Sequence, residues 1–235
     1  MQRNIWHSVN DHAEVLVGQY VVPNFVSNSV AICIAENEYV LYSPGASLLA
    51  AWPNKEATLH IVMPNAYHHL GVEAWLRQFP ESNLYASDKA IKQLRKKQAL
   101  SDTLDIKGIE ELSPILPENM TIAEPPGHRA GDVWLVKYTE NNSALWITCD
   151  SFLNYDRLSN QPVARFMQKF LGAAPGLKMS QVVKWFIMDD RKHFKTWALE
   201  RLKLDHPVVL IPSHGEVMHS DSLAKELSEL IKQRL

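Results

Sequence analysis

Strong charge, long apolar runs and cysteine are all scarce in this sequence, and each scarcity narrows the reading. The chain has 235 residues, with 24 Lys and Arg against 26 Asp and Glu and a formal net charge of −2. That balance supplies no strong basic field, so neither nucleic acid nor an anionic membrane is the expected partner. The basic stretch KAIKQLRKKQ at 89–98 reads as the solvated face of a surface helix. No apolar run approaches the ~20 residues of a membrane span. The opening MQRNIWHSVNDHAEV has no uninterrupted apolar core, which predicts no signal peptide. Only two cysteines occur, Cys33 in VAICIA and Cys149 in ALWITCD. Their apolar settings predict buried, reduced thiols in a reducing compartment, although sequence alone leaves a disulfide between them open. No internal repeat, low-complexity tract or clear linker is visible. The expectation is a cytoplasmic protein with a single domain over 1–235, whose 46% hydrophobic content can fill a sizeable core.

The first third reads as β. EVLVGQYVV alternates, SVAICIA and EYVLYS are short β-rich runs, and ATLHIVM (57–63) is a further strand that Pro64 terminates. The period then changes. Val72, Leu76 and Phe79 share a helical face that ends at Pro80, NLYAS (83–87) is a strand, and SDKAIKQLRKKQAL is a helix. This is the rhythm of a layered α/β protein. Strands return at MTIAE (120–124), DVWLVKYT (132–139) and SALWITCD (143–150), with a tight hairpin at ENN. Residues 151–203 read as a mostly helical insertion broken by Gly172 and Pro175-Gly176, its Trp185, Phe186, Phe194 and Trp197 packing on the sheet. Asp189 and Asp190 read as the start of a helix. HPVVLIPSHGEV (206–217) is a buried strand and loop. The last helix carries Leu223, Leu227, Leu230 and Ile231, with Ser220 or Asp221 as its cap.

Ten histidines are present, and most lie in polar or structural settings. Four differ. His68 and His69 follow a strand in IVMPNAYHHLGVEAW, His128 lies in the loop EPPGHRAGD, and His214 follows an apolar strand in LIPSHGE. Asp150 ends the strand ALWITCD. All five sit at strand ends or in adjacent loops, which in layered folds converge on one rim. Neutral imidazoles with a carboxylate suit zinc, or non-haem iron or manganese. For adjacent His68 and His69 to share an ion, the loop after Pro64 must turn between them or one must use its other ring nitrogen.

The order of these residues resembles the metallo-β-lactamase superfamily. Its first signature, H-x-H-x-D-H followed by Gly and a helix, is replaced here by PNAYHHLG. His69 falls on the last histidine, His68 on the Asp, and Pro64 and Ala66 on the first two histidines. His128 in PGH, Asp150 after its strand and His214 in PSHG match the later motifs, and Ser43-Pro44-Gly45 stands where Asp-x-Gly is usual. The PNxxHH version looks like that of a divergent branch. The resemblance implies an αββα sandwich of two mixed sheets flanked by helices. It also implies a single metal ion, zinc before iron or manganese, held by His68, His69, Asp150 and His214. His128 would be a fifth ligand or a partner of metal-bound water. The implied activity is a metal-dependent hydrolase of a small-molecule ester or lactone. A non-catalytic member with a degenerate site and an iron-bound redox member are the alternatives.

Overall fold

The β-branched and aromatic segments of the first half form seven strands, β1 (Trp6–Val9), β2 (His12–Val22), β3 (Phe25–Ala35), β4 (Glu38–Tyr42), β5 (Thr58–Val62), β6 (Asn83–Ala86) and β7 (Ile106–Gly108). The structure is a computed structural model that describes residues 2–22, 25–179 and 181–235. It divides into two compact units, Met1–Pro117 and Glu118–Leu235.

In the first unit the seven strands lie side by side in chain order. β1 to β4 pair antiparallel, and β4 to β7 pair parallel. Asp11 and Asn37 turn the first and third hairpins at φ 61° and 58°, a left-handed conformation that Asp and Asn tolerate. Parallel pairing demands crossovers. A 3₁₀ turn over Ala46–Ala51, then α1 (Val72–Gln78) and α2 (Asp88–Lys96), supply them. Ser87 Oγ accepts from the Ala90 amide and caps α2. The core of this unit is aromatic: Trp52 meets Trp6 and Trp75 edge to face at centroid distances of 5.3 and 5.4 Å.

The second unit holds a six-stranded sheet built from β8 (Met120–Ala123), β9 (Trp134–Tyr138), β10 (Ala144–Tyr155), β11 (Gly176–Lys178), β12 (Pro207–Gly215) and β13 (Met218–His219). β10 is its centre, buried from Ala144 to Leu153, antiparallel to β9 and parallel to β12. Such burial on both faces explains why ALWITCDSFL is an unbroken run with little alternation. The crossover to β12 carries α3 (Pro162–Phe170), a π-helical turn at Val183–Ile187 and α4 (Arg191–Asp205), and α5 (Leu223–Arg234) ends the chain. Leu223, Leu227 and Ile231 are buried as their spacing predicts.

Several expectations need correction. Residues 151–203 are only partly helical, because β10 continues to Tyr155 and β11 pairs with its end. Within that stretch Phe194 is buried, but Trp185 and Phe186 are exposed rather than packed on the sheet. α5 starts after Ser222, whose side chain makes no cap bond; the Ser220 hydroxyl accepts from the Ser222 amide, and both hydroxyls donate to Glu226. Cys33 and Cys149 are free thiols, with Cys149 buried as expected. Cys33 is half-buried, because it lies at a register shift near the end of β3, where its thiol donates to the Ala35 carbonyl. Among the described residues, no helix is long and apolar enough to cross a membrane.

Candidate metal centre

In the first unit, the loop after β5 is shaped by Asn65. Its side-chain oxygen accepts from the Tyr67 amide at 2.8 Å, and its carbonyl accepts from the His68 amide at 3.3 Å. This turn leads the chain from β5 into the two histidines. His68 is buried and His69 half-buried. Nδ1 of His68 lies 2.8 Å from Ser43 Oγ, which in turn lies 3.2 Å from the Tyr20 hydroxyl. Ser43 is fixed from behind: its φ is 57° and its carbonyl accepts from Ser29 Oγ. Gly71, before α1, is required by close approach, since a Cβ there would lie 2.0 Å from the Pro44 carbonyl oxygen. Ser43 thereby orients the His68 ring with Nε2 as the nitrogen that would ligate. Burial, reinforced by His68 and Lys97, pushes the His69 pKa below the usual imidazole value, against the opposing Ala66 carbonyl. A neutral ring is the form a metal needs. Pro64 is buried and Ala66 belongs to the apolar core of this unit. The positions of the family's first two metal histidines are therefore packing positions here.

In the second unit, Asp150 and His214 sit on neighbouring parallel strands, within β10 and β12 rather than beyond their ends. Thr148 pairs with Pro212 and Leu153 with His214, so five steps on β10 oppose two on β12. The three extra residues form a bulge around Asp150 that re-aims its side chain. Asp150 Oδ1 then lies 3.1 Å from His214 Nε2. Metal–ligand bonds of ~2.0–2.1 Å at tetrahedral angles place neighbouring ligand atoms roughly 3.3 Å apart, so this pair fits one ion. Gly215 follows at φ 100°, with its Cβ position 2.0 Å from the Asn154 carbonyl oxygen; only glycine allows β12 to close against β10 there.

His128 is held differently. The loop that carries it is stitched to residues 187–190: the Arg129 amide donates to Ile187 and the Asp189 amide to Gly127. Asp190 also caps α4 through the His193 amide, which accords with the expected helix start. Nε2 of His128 lies 3.2 Å from Ser151 Oγ, and Nδ1 lies 3.1 Å from Asp132 Oδ2. The order Ser151–His128–Asp132 has the connectivity of a nucleophilic triad. All three are buried, though, and the Phe194 ring lies 5.1 Å from that of His128, so no substrate carbonyl can reach Ser151. The chain fixes a histidine instead. Asp132, Cys149 and Asp150 offer ligand atoms within 4.8 Å of one another. Burial, then the charges of Asp150 and Asp132, push the Cys149 thiol pKa far up and keep it protonated. Ser151 and Asp132 escaped the sequence reading; the i, i+4 carboxylate after His128 was the available signal.

No family profile matches the sequence. No curated protein sequence matches it either. Solved structures do. The chain resembles the DIM-1 metallo-β-lactamase exposed to ceftazidime at 12% identity and a TM-score of 0.61, over 99% of both chains. It resembles the FIM-1 metallo-β-lactamase from Pseudomonas aeruginosa in its mono-zinc form at 17% identity and a TM-score of 0.59, over 97% of this chain and 94% of that one. A metal-soaked Flv1 flavodiiron core from Synechocystis sp. matches at 14% identity and a TM-score of 0.59, over 97% of this chain and 60% of that one.

Proposed function

The chain has the metallo-β-lactamase fold, the αββα class that its sequence resembles, and on that premise we propose that it is a metal-dependent hydrolase of a small-molecule ester or lactone. The observation that carries this reading is the pairing of Asp150 with His214 at 3.1 Å on a bulged strand. Zinc is the proposed ion, with iron or manganese as the alternatives. His68 and His69 complete its ligand set on the strength of their place in the family order. A zinc ion held there would supply a water acidified to a pKa of ~7, the hydrolytic reagent. Asp150 and His214 would hold the ion. Ser43 sets the nitrogen that His68 presents, and Asp132 with Ser151 fixes the His128 ring. A cytoplasmic setting fits the two free thiols.

A panel of aliphatic esters and lactones tests this. Turnover by zinc-loaded protein, lost on chelation and in His214→Ala, supports it; a rate that chelation leaves unchanged overturns it. A second reading, metal binding without turnover, draws support from Pro64 and Ala66, which leave only His128 and the bridging Asp150 in the family's first pocket. Zinc binding with no turnover on any substrate class would select it.

Ser43→Ala is expected to lower zinc affinity ten- to a hundredfold, the range for losing an orienting partner of a ligand histidine. In the metal-free protein the same change should release the single tautomer of His68, read from ring ¹⁵N shifts. Unchanged affinity and unchanged shifts would remove Ser43 from the site.

A further inference from the structure

Net charge hides an uneven distribution. Residues 157–188 contain Arg157, Arg165, Lys169, Lys178 and Lys184 and no Asp or Glu. With the chain at −2 and this stretch at +5, the rest carries −2 − 5 = −7. The same stretch exposes large apolar side chains. On α3, Val163 is 77%, Phe166 66% and Phe170 73% exposed, at i, i+3, i+7 spacing. Trp185 and Phe186 on the π-helical turn are 56% and 67% exposed. The two pieces are tied together, because the Gln181 amide donates to the Leu171 carbonyl at 2.9 Å and Trp185 Nε1 donates to Gln181 Oε1 at 2.9 Å. That brings Trp185 to the C-terminal end of α3. Contiguous exposed apolar area of this kind marks a partner.

We propose that α3 and the Trp185–Phe186 turn form a docking surface for an anionic lipid bilayer, with Val163, Phe166 and Phe170 entering the headgroup boundary and Arg165 and Lys169 meeting the lipid phosphates. An amphipathic helix with an aromatic face and basic flanks is the form that lies in a membrane interface without crossing it. Two competing occupants fit less well. An isologous contact between two copies would set Arg165 and Lys169 of each against the same cations of the other. A single-stranded nucleic acid needs open ring faces for its bases. Phe166 and Phe170 stack on each other at 6.1 Å and 10° between planes, and Arg191 covers the Trp185 ring at 4.4 Å. Rings already stacked on each other or covered by a guanidinium suit acyl chains better than bases. The sequence-level expectation of no membrane partner rested on net charge; the proposal rests on where the charges lie.

Co-sedimentation of the full chain with vesicles tests it. Binding is expected to vesicles of phosphatidylcholine with phosphatidylglycerol at low salt, and to weaken in high salt and with phosphatidylcholine alone. Phe166→Ser with Phe170→Ser should lower the partition coefficient at least about tenfold, and Arg165→Glu with Lys169→Glu about thirtyfold or more. All four residues are exposed, so the variants should keep the wild-type thermal midpoint. No sedimentation of wild type with the anionic vesicles overturns the proposal, as does binding that both variants retain. Concentration-dependent dimers abolished by the Phe variant, without vesicle binding, would make the surface a self-contact. Binding of a single-stranded oligonucleotide without vesicle binding would make it a nucleic-acid surface. Either result overturns the lipid assignment.

Discussion

Asp150→Ala is expected to lower zinc affinity by roughly a hundredfold or more. Structural zinc sites bind with about 10–16 kcal/mol shared over four ligands, so one ligand accounts for about 3 kcal/mol. Asp150 is the one carboxylate in the proposed set, and its loss also removes the charge beside His214 Nε2. Asp150→Asn, which keeps the shape and removes the charge, should fall between wild type and Ala. The double variant Asp150→Ala with His214→Ala should lose less than the sum of the two, because both act on one ion. A chelator-competition titration reads all of these. An Asp150→Ala affinity within threefold of wild type would remove Asp150 from the ligand set, and exposed Asp189→Ala is the control.

Asp205→Ala is expected to produce the largest loss of stability, about 3–5 kcal/mol. Asp205 is fully buried at the end of α4. Its carboxylate accepts from the Tyr138 hydroxyl at 2.8 Å and from Trp146 Nε1 at 3.0 Å, and lies 2.9 Å from Arg201 Nη2. Removing it strands the buried Trp146 indole N–H, takes a partner from the half-buried Tyr138 hydroxyl and leaves the Arg201 charge uncompensated. This network joins β9, β10 and α4, so the loss acts on the whole second unit. Burial and the bond to Asp205 also raise the Tyr138 pKa, so the phenol stays a donor at neutral pH. At roughly 2–4 °C per kcal/mol for a chain of this size, the thermal midpoint should drop by about 6–20 °C. A drop equivalent to less than about 1 kcal/mol would contradict the account of this network.

The contrast between these two sites shows what the sequence could carry. Helices α1, α2 and α5 were legible because their apolar spacing changes from period 2 to 3.6, and the bounding residues Pro64, Ser87 and Pro80 have fixed backbone consequences. Short edge strands such as β1 and β7, four and three residues long, offer no period to read. Asp150 and His214 could be singled out by residue type and context. Their meeting could not, since it depends on a three-residue bulge that no local pattern announces. Ser43, Asp132 and Ser151 were missed as supporting residues for one reason: each is a common polar residue whose meaning comes from burial next to a histidine. The apolar character of Phe166, Phe170 and Trp185 was plain, but sequence could not say whether those side chains face a core or solvent.

Metal content per chain, measured by elemental analysis after purification without added metal, tests the central claim most directly. About one zinc, or one iron or manganese in its place, is expected per wild-type chain, with near-complete loss in His214→Ala. Wild type with no bound metal, or a His214→Ala protein that keeps the wild-type amount, would contradict it.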